Sequence, residues 1–392
     1  PLLAKEWKAS DDKLTWTFTL ADKVTFTDGK PLTAEDVKFS FDYIKEHPWT
    51  WVSVDMVKEV QVVDPTHVKI VLKDVYAPFL TEVAGNVPIM PKHIWQNVKE
   101  PEKFNTAEAV IGSGPFALTN YDKTNGSYTY TANPKYFLGA PVVDKLILST
   151  VAKPAAALQN GELDAAQKVS ASDIEQLTKD GKYRVLSGPG FWIYRLYFNY
   201  NRPELNQTTL RQAMFYAINR PEMVAKAAGG QGVPGNPGHI HPDSEWYSKD
   251  VKQYDYNPEI AKGLLDNAGM KDTDGDGVRE YQGKPLKYEL LVVSDRTKEA
   301  EMVKSYLTAV GIGITVKAQD QKTVDSLIGE GKFELAMNGH GSFGGDPVLL
   351  ARFATGSSVG ATPGITAQGG KAWVNEQYNS LYAQQKIGRA HV

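Results

Sequence analysis

The segment from residue 286 to residue 338 constrains the fold most, because strand-like and helix-like runs alternate along it. Apolar patterning predicts three strands separated by two helices. In chain order these elements cover residues 286–293, 298–310, 314–318, 323–329 and 333–338. Strands that alternate with helices form a parallel sheet through right-handed crossovers. This part of the chain is therefore predicted to be an α/β unit with a parallel sheet.

The loop after the third of these strands is a candidate binding element, because open parallel sheets bind ligands beyond the carboxyl ends of their strands. It is predicted to run from Gly339 to Pro347. Gly339–Gly344 also fits the G-x-G-x-x-G pattern of dinucleotide sites, so a nucleotide enzyme stays open as one hypothesis. The acid expected about 20 residues later is absent between Ala354 and Trp373. A flexible, ligand-facing loop is the preferred interpretation.

The first third of the chain is predicted to contain both strands and a helix. Leu14, Trp16, Phe18 and Leu20 alternate with threonines, which is typical of a half-buried strand. A helix is expected to start at Thr33-Ala34-Glu35-Asp36, where an acid three residues after threonine can close a capping box. Strands are also predicted over residues 60–63 and 68–72, joined by a turn. Outside this first third, in the middle of the chain, a long aromatic strand is predicted over residues 191–199.

Composition limits the function classes. The 392 residues include 43 basic and 46 acidic side chains, a net charge of −3, which argues against nucleic-acid binding because that needs a dense basic face. No stretch approaches the roughly 18 unbroken apolar residues of a membrane span. The absence of cysteine excludes disulfides, thiolate metal sites and cysteine nucleophiles. The length predicts two or three domains.

Both ends of the sequence are expected to be truncated. The chain starts at Pro1 without an initiator methionine or signal peptide, so localisation cannot be inferred from a leader. Residues 387–392 (Ile-Gly-Arg-Ala-His-Val) match the translation of a common sequencing adapter and are expected to be a non-native tail. On this hypothesis the coding sequence continues differently after Lys386.

An ordered series of short motifs resembles family 5 of the bacterial extracellular solute-binding proteins, the peptide- and nickel-type receptors of ABC importers. The first two are Trp16–Leu20 and Phe26–Val37, with Thr27-Asp28-Gly29-Lys30-Pro31-Leu32 at the centre of the second. The later ones are residues 112–116, 161–164, 210–220, 268–269 and 345–347. The resemblance covers nearly everything from Lys5 to Lys386, and the combination is specific although each piece alone is weak.

The resemblance implies an α/β, two-lobed periplasmic-binding-protein-like fold of type II with an extra small domain. Residues 1–110 would form the extra α+β domain, 111–200 part of the first lobe and 201–386 the second lobe. It further implies a monomeric, non-enzymatic receptor that closes on a small solute by a hinge and delivers it to an ABC permease. The expected location is periplasmic or extracellular, with a lipid anchor left open, and no cofactor is expected.

The candidate ligand residues are Trp192 and Tyr194, whose flat side chains could stack on a ligand, and His340, Phe343 and Asp346 on the loop. In the peptide-binding members an acid that holds the peptide ammonium stands where Phe343 stands here, and a tryptophan where His340 stands. Asp346 could equally cap a following helix. An oligopeptide is therefore expected from the family alone, and a sugar, an opine, a peptide derivative and a metal chelate remain alternatives.

Two further motifs could bind metal. Asp272, Asp274 and Asp276 match the first half of an EF-hand calcium loop, but the bidentate acid expected at loop position 12 falls on Gly283. A tight Asp-Gly turn is the preferred interpretation, and calcium would be structural. His239, His241 and Asp243 could serve a metal-dependent hydrolase, the alternative of another class. The preferred interpretation of these histidines is that they are exposed side chains of a Gly/Pro-rich loop.

Overall fold

The computed structural model describes residues 2–48, 52–167, 169–179, 181–186, 188, 192–235, 240–341 and 375–388. The chain divides into two compact units, one formed by Pro1–Lys153 with Ala383–Val392 and the other by Pro154–Tyr382. The three domain ranges expected from the sequence, residues 1–110, 111–200 and 201–386, stay a prediction. In the part of the chain that is described, no helix has the length and apolar character required to cross a membrane.

The first unit contains a four-stranded antiparallel sheet with the order β1-β2-β4-β3. Its strands are β1 (Ala4–Ala9), β2 (Thr15–Leu20), β3 (Val57–Asp64) and β4 (His67–Leu72). Phe18 and Leu20 are buried, while the alternating threonines of the same strand are only half-buried, as the alternation predicts. The predicted hairpin is confirmed as β3 and β4.

Helix α1 (Ala34–Glu46) covers this sheet and begins where the sequence predicts. Thr33 is the N-cap, and the Asp36 carboxylate accepts a hydrogen bond from the Thr33 backbone N–H at 2.9 Å, which completes the capping box. The apolar face of α1 joins side chains of the sheet in one core. Its larger members are Phe18, Leu20, Phe26, Val37, Phe41, Ile44, Val60, Val68, Ile70, Leu72 and Phe79.

The other elements of the first unit are shorter. A π-helix spans Phe79–Ala84, α2 spans Lys92–Trp95, and 3₁₀ turns span Pro101–Lys103 and Ala107–Val110. A three-stranded antiparallel sheet follows, in the order β5-β6-β7. It consists of β5 (Phe116–Asp122), β6 (Ser127–Ala132) and β7 (Lys145–Leu148).

The three-stranded sheet carries little core of its own. All four residues of β7 are exposed, and Ile147 is 64% exposed. Among the described residues between Val87 and Ala157, no hydrophobic side chain is fully buried. Since a sheet is stabilised by burying at least one apolar face, β5-β6-β7 contributes little apolar burial to the stability of this unit.

The second unit is built around a mixed four-stranded sheet with the order β12-β11-β13-β8. Its strands are β8 (Ile193–Phe198), β11 (Lys287–Val293), β12 (Gly313–Gln319) and β13 (Leu335–His340). Strand β11 pairs in parallel with both β12 and β13, so the predicted parallel sheet is confirmed. Strand β8 adds to the edge in antiparallel orientation, which the sequence did not predict.

Helices lie against both faces of this sheet. Leu290 and Val292 of β11 point into a core that includes side chains of α5, α7 and α8, while Leu291 and Val293 point toward α9. The strand is thus buried on both faces, as central strands of parallel sheets are. The helices that follow β7 in the chain are α3 (Pro154–Gln159), α4 (Ala171–Thr178), α5 (Thr208–Ala217), α6 (Arg220–Lys226), α7 (Pro258–Asn267), α8 (Thr297–Thr308), α9 (Gln321–Gly329) and α10 (Glu376–Gly388). Of these, α5, α7, α8 and α9 supply core side chains packed with β11. A short hairpin pairs β9 (Glu280–Tyr281) with β10 (Lys284–Pro285).

The turn between β3 and β4 depends on one carboxylate. Asp64 accepts hydrogen bonds from the backbone N–H groups of Thr66 and His67 and lies 2.8 Å from His67 Nδ1. The His67 hydrogen bond, followed by that of Thr66, lowers the pKa of Asp64 to about 2 from the ordinary 3.8. The ionised form of Asp64 therefore favours the folded turn.

We expect Asp64→Asn to make the first unit less stable at pH values above about 4 but not near pH 2. A depressed carboxyl pKa contributes stability above the unfolded value of 3.8, and this stability is lost as the pH falls towards about 2. Thermal unfolding measured across this range checks the sign. Asp55→Asn is the matched control, since Asp55 is an exposed carboxylate of the same unit outside the turn between β3 and β4. An equal effect of Asp64→Asn at all pH values would contradict the assignment.

Candidate functional site

The edge where the parallel strands end brings together most of the described candidate residues. Strands β11, β12 and β13 end there at Val293, Gln319 and His340. Because β8 is antiparallel to β13, its first residues lie at the same edge, with Ile193 opposite His340 and Tyr194 opposite Gly339. Ligands of open α/β sheets bind beyond this edge, so we take it as the candidate site.

Strand β13 starts and ends two residues later than the sequence predicts. It continues through His340, so the expectation of a loop starting at Gly339 is wrong for Gly339 and His340. The reason is the pairing with β8, which supplies strand partners up to His340. Phe343 and Asp346 lie outside the described residues. His340 is the last residue of β13 and so lies at this sheet edge, and its contact with a ligand stays a prediction.

The predicted stacking residues are accessible. Trp192 is 58% exposed and Tyr194 is 43% exposed, whereas Tyr197 further along β8 is buried. Core packing therefore does not account for Trp192 and Tyr194. In the order of the sheet β8 is an edge strand, so its start can reach solvent. The indole of Trp192 lies over Gly339 and Gly341, the first two glycines of the G-x-G-x-x-G match.

Arg296 extends the aromatic surface with a positive charge, and sequence reasoning missed it. It follows β11 directly, and its guanidinium carbon lies 4.4 Å from the centre of the Tyr194 ring. Its Nη1 donates to Glu299 Oε1 at 2.8 Å. Partial burial, the largest single effect, opposes the charge of Arg296, but the Glu299 hydrogen bond together with the negative charge of Glu299 and Asp295 and the Tyr194 side chain outweighs it and raises the Arg296 pKa. The guanidinium stays ionised and holds Tyr194 by a cation–π contact.

A polar network under this edge fixes the end of β13. The buried Asn338 donates to Asp325 Oδ1 at 2.8 Å and accepts from Gln321 and from the Gly339 N–H. On the same face the buried Arg195 donates to the Tyr197 hydroxyl at 2.6 Å. Burial lowers the Arg195 pKa and the tyrosine partly opposes this. The Asn338 contacts tie the end of β13 to α9, and the Arg195–Tyr197 hydrogen bond links two side chains of β8.

The acidic loop brings four carboxylates together. Ligand atoms of Asp272, Asp274, Asp276 and Glu280 lie within 4.8 Å of one another, and the loop is mostly exposed. Glu280 was missed from the sequence, although it stands at EF-hand loop position 9. Gly277, at loop position 6 where EF-hands need glycine, has a φ of +86°. The carboxylates could serve a hard cation such as Ca²⁺.

The same loop is also held by its own hydrogen bonds. Asp272 accepts from the N–H groups of Gly275 and Gly277, and Asp276 accepts from Val278 N–H. Glu280 accepts from Thr273. These bonds account for a tight turn without an ion, and calcium at this loop stays a prediction.

We expect Asp272→Ala to lower the melting temperature even in the presence of a chelator, because two backbone N–H groups lose their acceptor. Each lost bond costs about 1 kcal/mol. Differential scanning calorimetry with EDTA measures this effect. A calcium-dependent rise in melting temperature that disappears in Asp274→Asn would instead show that an ion holds the loop.

The histidine motif of the hydrolase hypothesis has only part of its residues described. His239 lies outside the described residues. His241 Nδ1 lies 3.6 Å from Asp243 Oδ2, and the His241 side chain is mostly buried rather than exposed as expected. Within the described ranges, the acidic loop is the only group of three or more His, Cys, Asp or Glu side chains close enough to share a metal.

A cavity of about 700 Å³ lies in the first unit, and none of the described candidate ligand residues forms part of its wall. The His93 ring, which contacts Asp28 at 2.7 Å, forms part of its wall. Three lysines and three acids line the cavity, so their formal charges cancel and favour neither an anion nor a cation. The charged residues are Asp28, Lys30, Lys99, Glu100, Lys103 and Glu108.

The sequence matches the family model described as bacterial extracellular solute-binding proteins, family 5 Middle, over residues 1–360. The chain therefore belongs to this family of solute-binding proteins, and the resemblance inferred from the motifs is confirmed. A Brucella ovis relative, named as a peptide-binding protein of an ABC transporter, is 30% identical over 338 residues. The match covers 83% of this chain and 61% of that relative, so the chain spans less than two thirds of its length.

Solved structures agree with the predicted α/β fold of the type II binding proteins. NikZ of Campylobacter jejuni, in complex with Ni(L-His), superposes with a TM-score of 0.83 at 26% identity, covering 100% of this chain and 79% of NikZ. A periplasmic oligopeptide-binding protein of Thermotoga maritima gives a TM-score of 0.84 at 26% identity, covering 100% of this chain and 77% of that protein. The predicted fold class is confirmed.

Proposed function

We propose that the whole protein is an extracytoplasmic receptor that captures a small organic solute and hands it to the permease of an ABC importer. The observation that carries this proposal is the exposed aromatic surface of Trp192 and Tyr194 at the carboxyl edge of the parallel sheet. Family membership points to the same role. Capture without chemical change is part of the proposal, because stacking surfaces orient a ligand and do not themselves act as acid, base or nucleophile.

An oligopeptide is the proposed ligand class. The Brucella ovis relative is named for peptide binding, and the Thermotoga maritima neighbour for oligopeptide binding. A flat aromatic surface accepts peptide side chains and sugar rings alike, so an oligosaccharide is the second candidate. A metal chelate is the third, since the NikZ structure contains nickel with histidine.

The partner and location belong to the same proposal. A receptor of this class would work in the periplasm or outside the cell, as a monomer, next to its membrane permease. A lipid anchor would keep it near that permease. We include no cofactor in the proposed capture step.

A ligand panel tests the proposal on the full-length protein. We expect a mixed peptide library to raise the melting temperature, because a ligand held only by the folded state stabilises it. Manno-oligosaccharides and nickel–histidine form the other arms of the panel. Mass spectrometry of the recovered peptides separates receptor from hydrolase. Peptides returned intact support the receptor, while cleaved peptides or a panel without any stabilising member would reject it.

We expect Trp192→Ala to weaken binding of the stabilising peptide by roughly 1–3 kcal/mol, about 5- to 150-fold in Kd, because a stacked aromatic contact is lost. Isothermal titration calorimetry measures the change. Trp7→Ala is the matched control, since Trp7 is an exposed tryptophan of a different sheet. An unchanged Kd for Trp192→Ala would remove Trp192 from the site.

A further inference from the structure

We infer that Gly339 and Gly341 are positioning residues that hold the Trp192 indole flat against the sheet edge. The inference rests on the proposed function, because it explains how the stacking surface of that site is oriented. It also gives a different role to the first two glycines of the G-x-G-x-x-G match, which sequence reasoning assigned to a ligand-facing loop or a dinucleotide site.

The first step is the register of β8 and β13. Tyr194 lies opposite Gly339, and continuing the antiparallel ladder by two residues sets Trp192 opposite Gly341. Side chains two residues apart on a strand share a face. Gly339 and Gly341 therefore leave two neighbouring gaps on the face where Trp192 and Tyr194 project.

The indole fills both gaps. A Cβ added at Gly339 would overlap Trp192 Nε1 and lie 2.6 Å from Cε2. A Cβ added at Gly341 would lie 2.9 Å from Cε3 and 3.0 Å from Cζ3 of the same ring system. These distances are shorter than van der Waals contact, so any larger residue at either position must displace the ring. The Nε1–Cε2–Cζ2 edge of the indole thus lies over Gly339 and the Cε3–Cζ3 edge over Gly341.

Backbone conformation gives no competing reason for glycine at these two positions. Fourteen described glycines have φ in the left-handed region, where glycine is favoured, and neither Gly339 nor Gly341 is among them. What these two positions require is space for the indole. With one face of the ring on the backbone and Trp192 still 58% exposed, the opposite face is available for stacking.

A ligand-free experiment tests the orientation. The chain is labelled with 5-fluorotryptophan, and its Trp192 ¹⁹F resonance is identified by its loss in Trp192→Phe. We expect Gly339→Ala to shift this resonance because the added methyl displaces the ring that carries the label, and Gly341→Ala to shift it as well because its methyl lies beside the labelled Cζ3. Gly263→Ala is the control, since Gly263 has no atom within 4 Å of an added Cβ and no positive φ. An unmoved Trp192 resonance in Gly339→Ala would overturn the inference.

A thermodynamic cycle separates positioning from simple loss of stability. We expect Gly339→Ala to lower the melting temperature in the wild-type chain and to have little effect in a Trp192→Ala background, where no indole is left to displace. Equal effects in both backgrounds would overturn the inference even if the resonance shifts. Because neither measurement uses a ligand, a failed peptide panel would reject the proposed function without deciding the role of the glycines.

The affinity for a peptide that passes the panel gives the functional readout. Gly339→Ala should reduce the affinity in the wild-type chain by a factor comparable to that of Trp192→Ala, and should add no further loss in the Trp192→Ala background. An affinity equal to that of the wild type would show that the glycines do not position Trp192 for binding.

Discussion

Burial of β11 on both faces is the interaction on which the second unit depends. Leu290 and Val292 pack toward α5, α7 and α8, and Leu291 and Val293 toward α9. Each fully buried aliphatic side chain contributes about 1.5–3 kcal/mol relative to an exposed one. Strands β12 and β13 pair with β11 in parallel, so all three strands end at the same edge of the sheet. The chain segments that follow these strands therefore start at that edge.

The candidate site is a consequence of that arrangement. Strand β8 joins the sheet in the opposite direction, so its first residues meet the last residues of β13 at one edge. There the exposed Trp192 and Tyr194 lie beside Arg296, while Asn338 and its hydrogen bonds to α9 hold the strand beneath. Accessible aromatic faces on paired strands can hold a flat ligand group in one orientation, which is what the proposed capture of a solute requires.

Local signals were sufficient for much of the fold. The Thr33 capping box, the alternation around Phe18 and the strand–helix order after residue 286 all correspond to observed elements. Each depends on neighbours a few residues apart, which a single sequence displays directly. The predicted end of β13 was wrong because the continuation of this strand to His340 depends on pairing with β8, which lies more than 130 residues earlier in the chain. Glu280 was missed as a member of the acidic loop because the fold of the turn brings its carboxylate to the three aspartates.

The sequence by itself determined the family, the fold class and the aromatic character of residues 191–199, since motif order and side-chain periodicity are properties of the chain alone. Only the tertiary structure decided which aromatic residues of β8 reach solvent and why glycine stands at positions 339 and 341. Both answers depend on the antiparallel pairing of two distant strands, and such pairing is selected by packing across the whole sheet and not by local propensity.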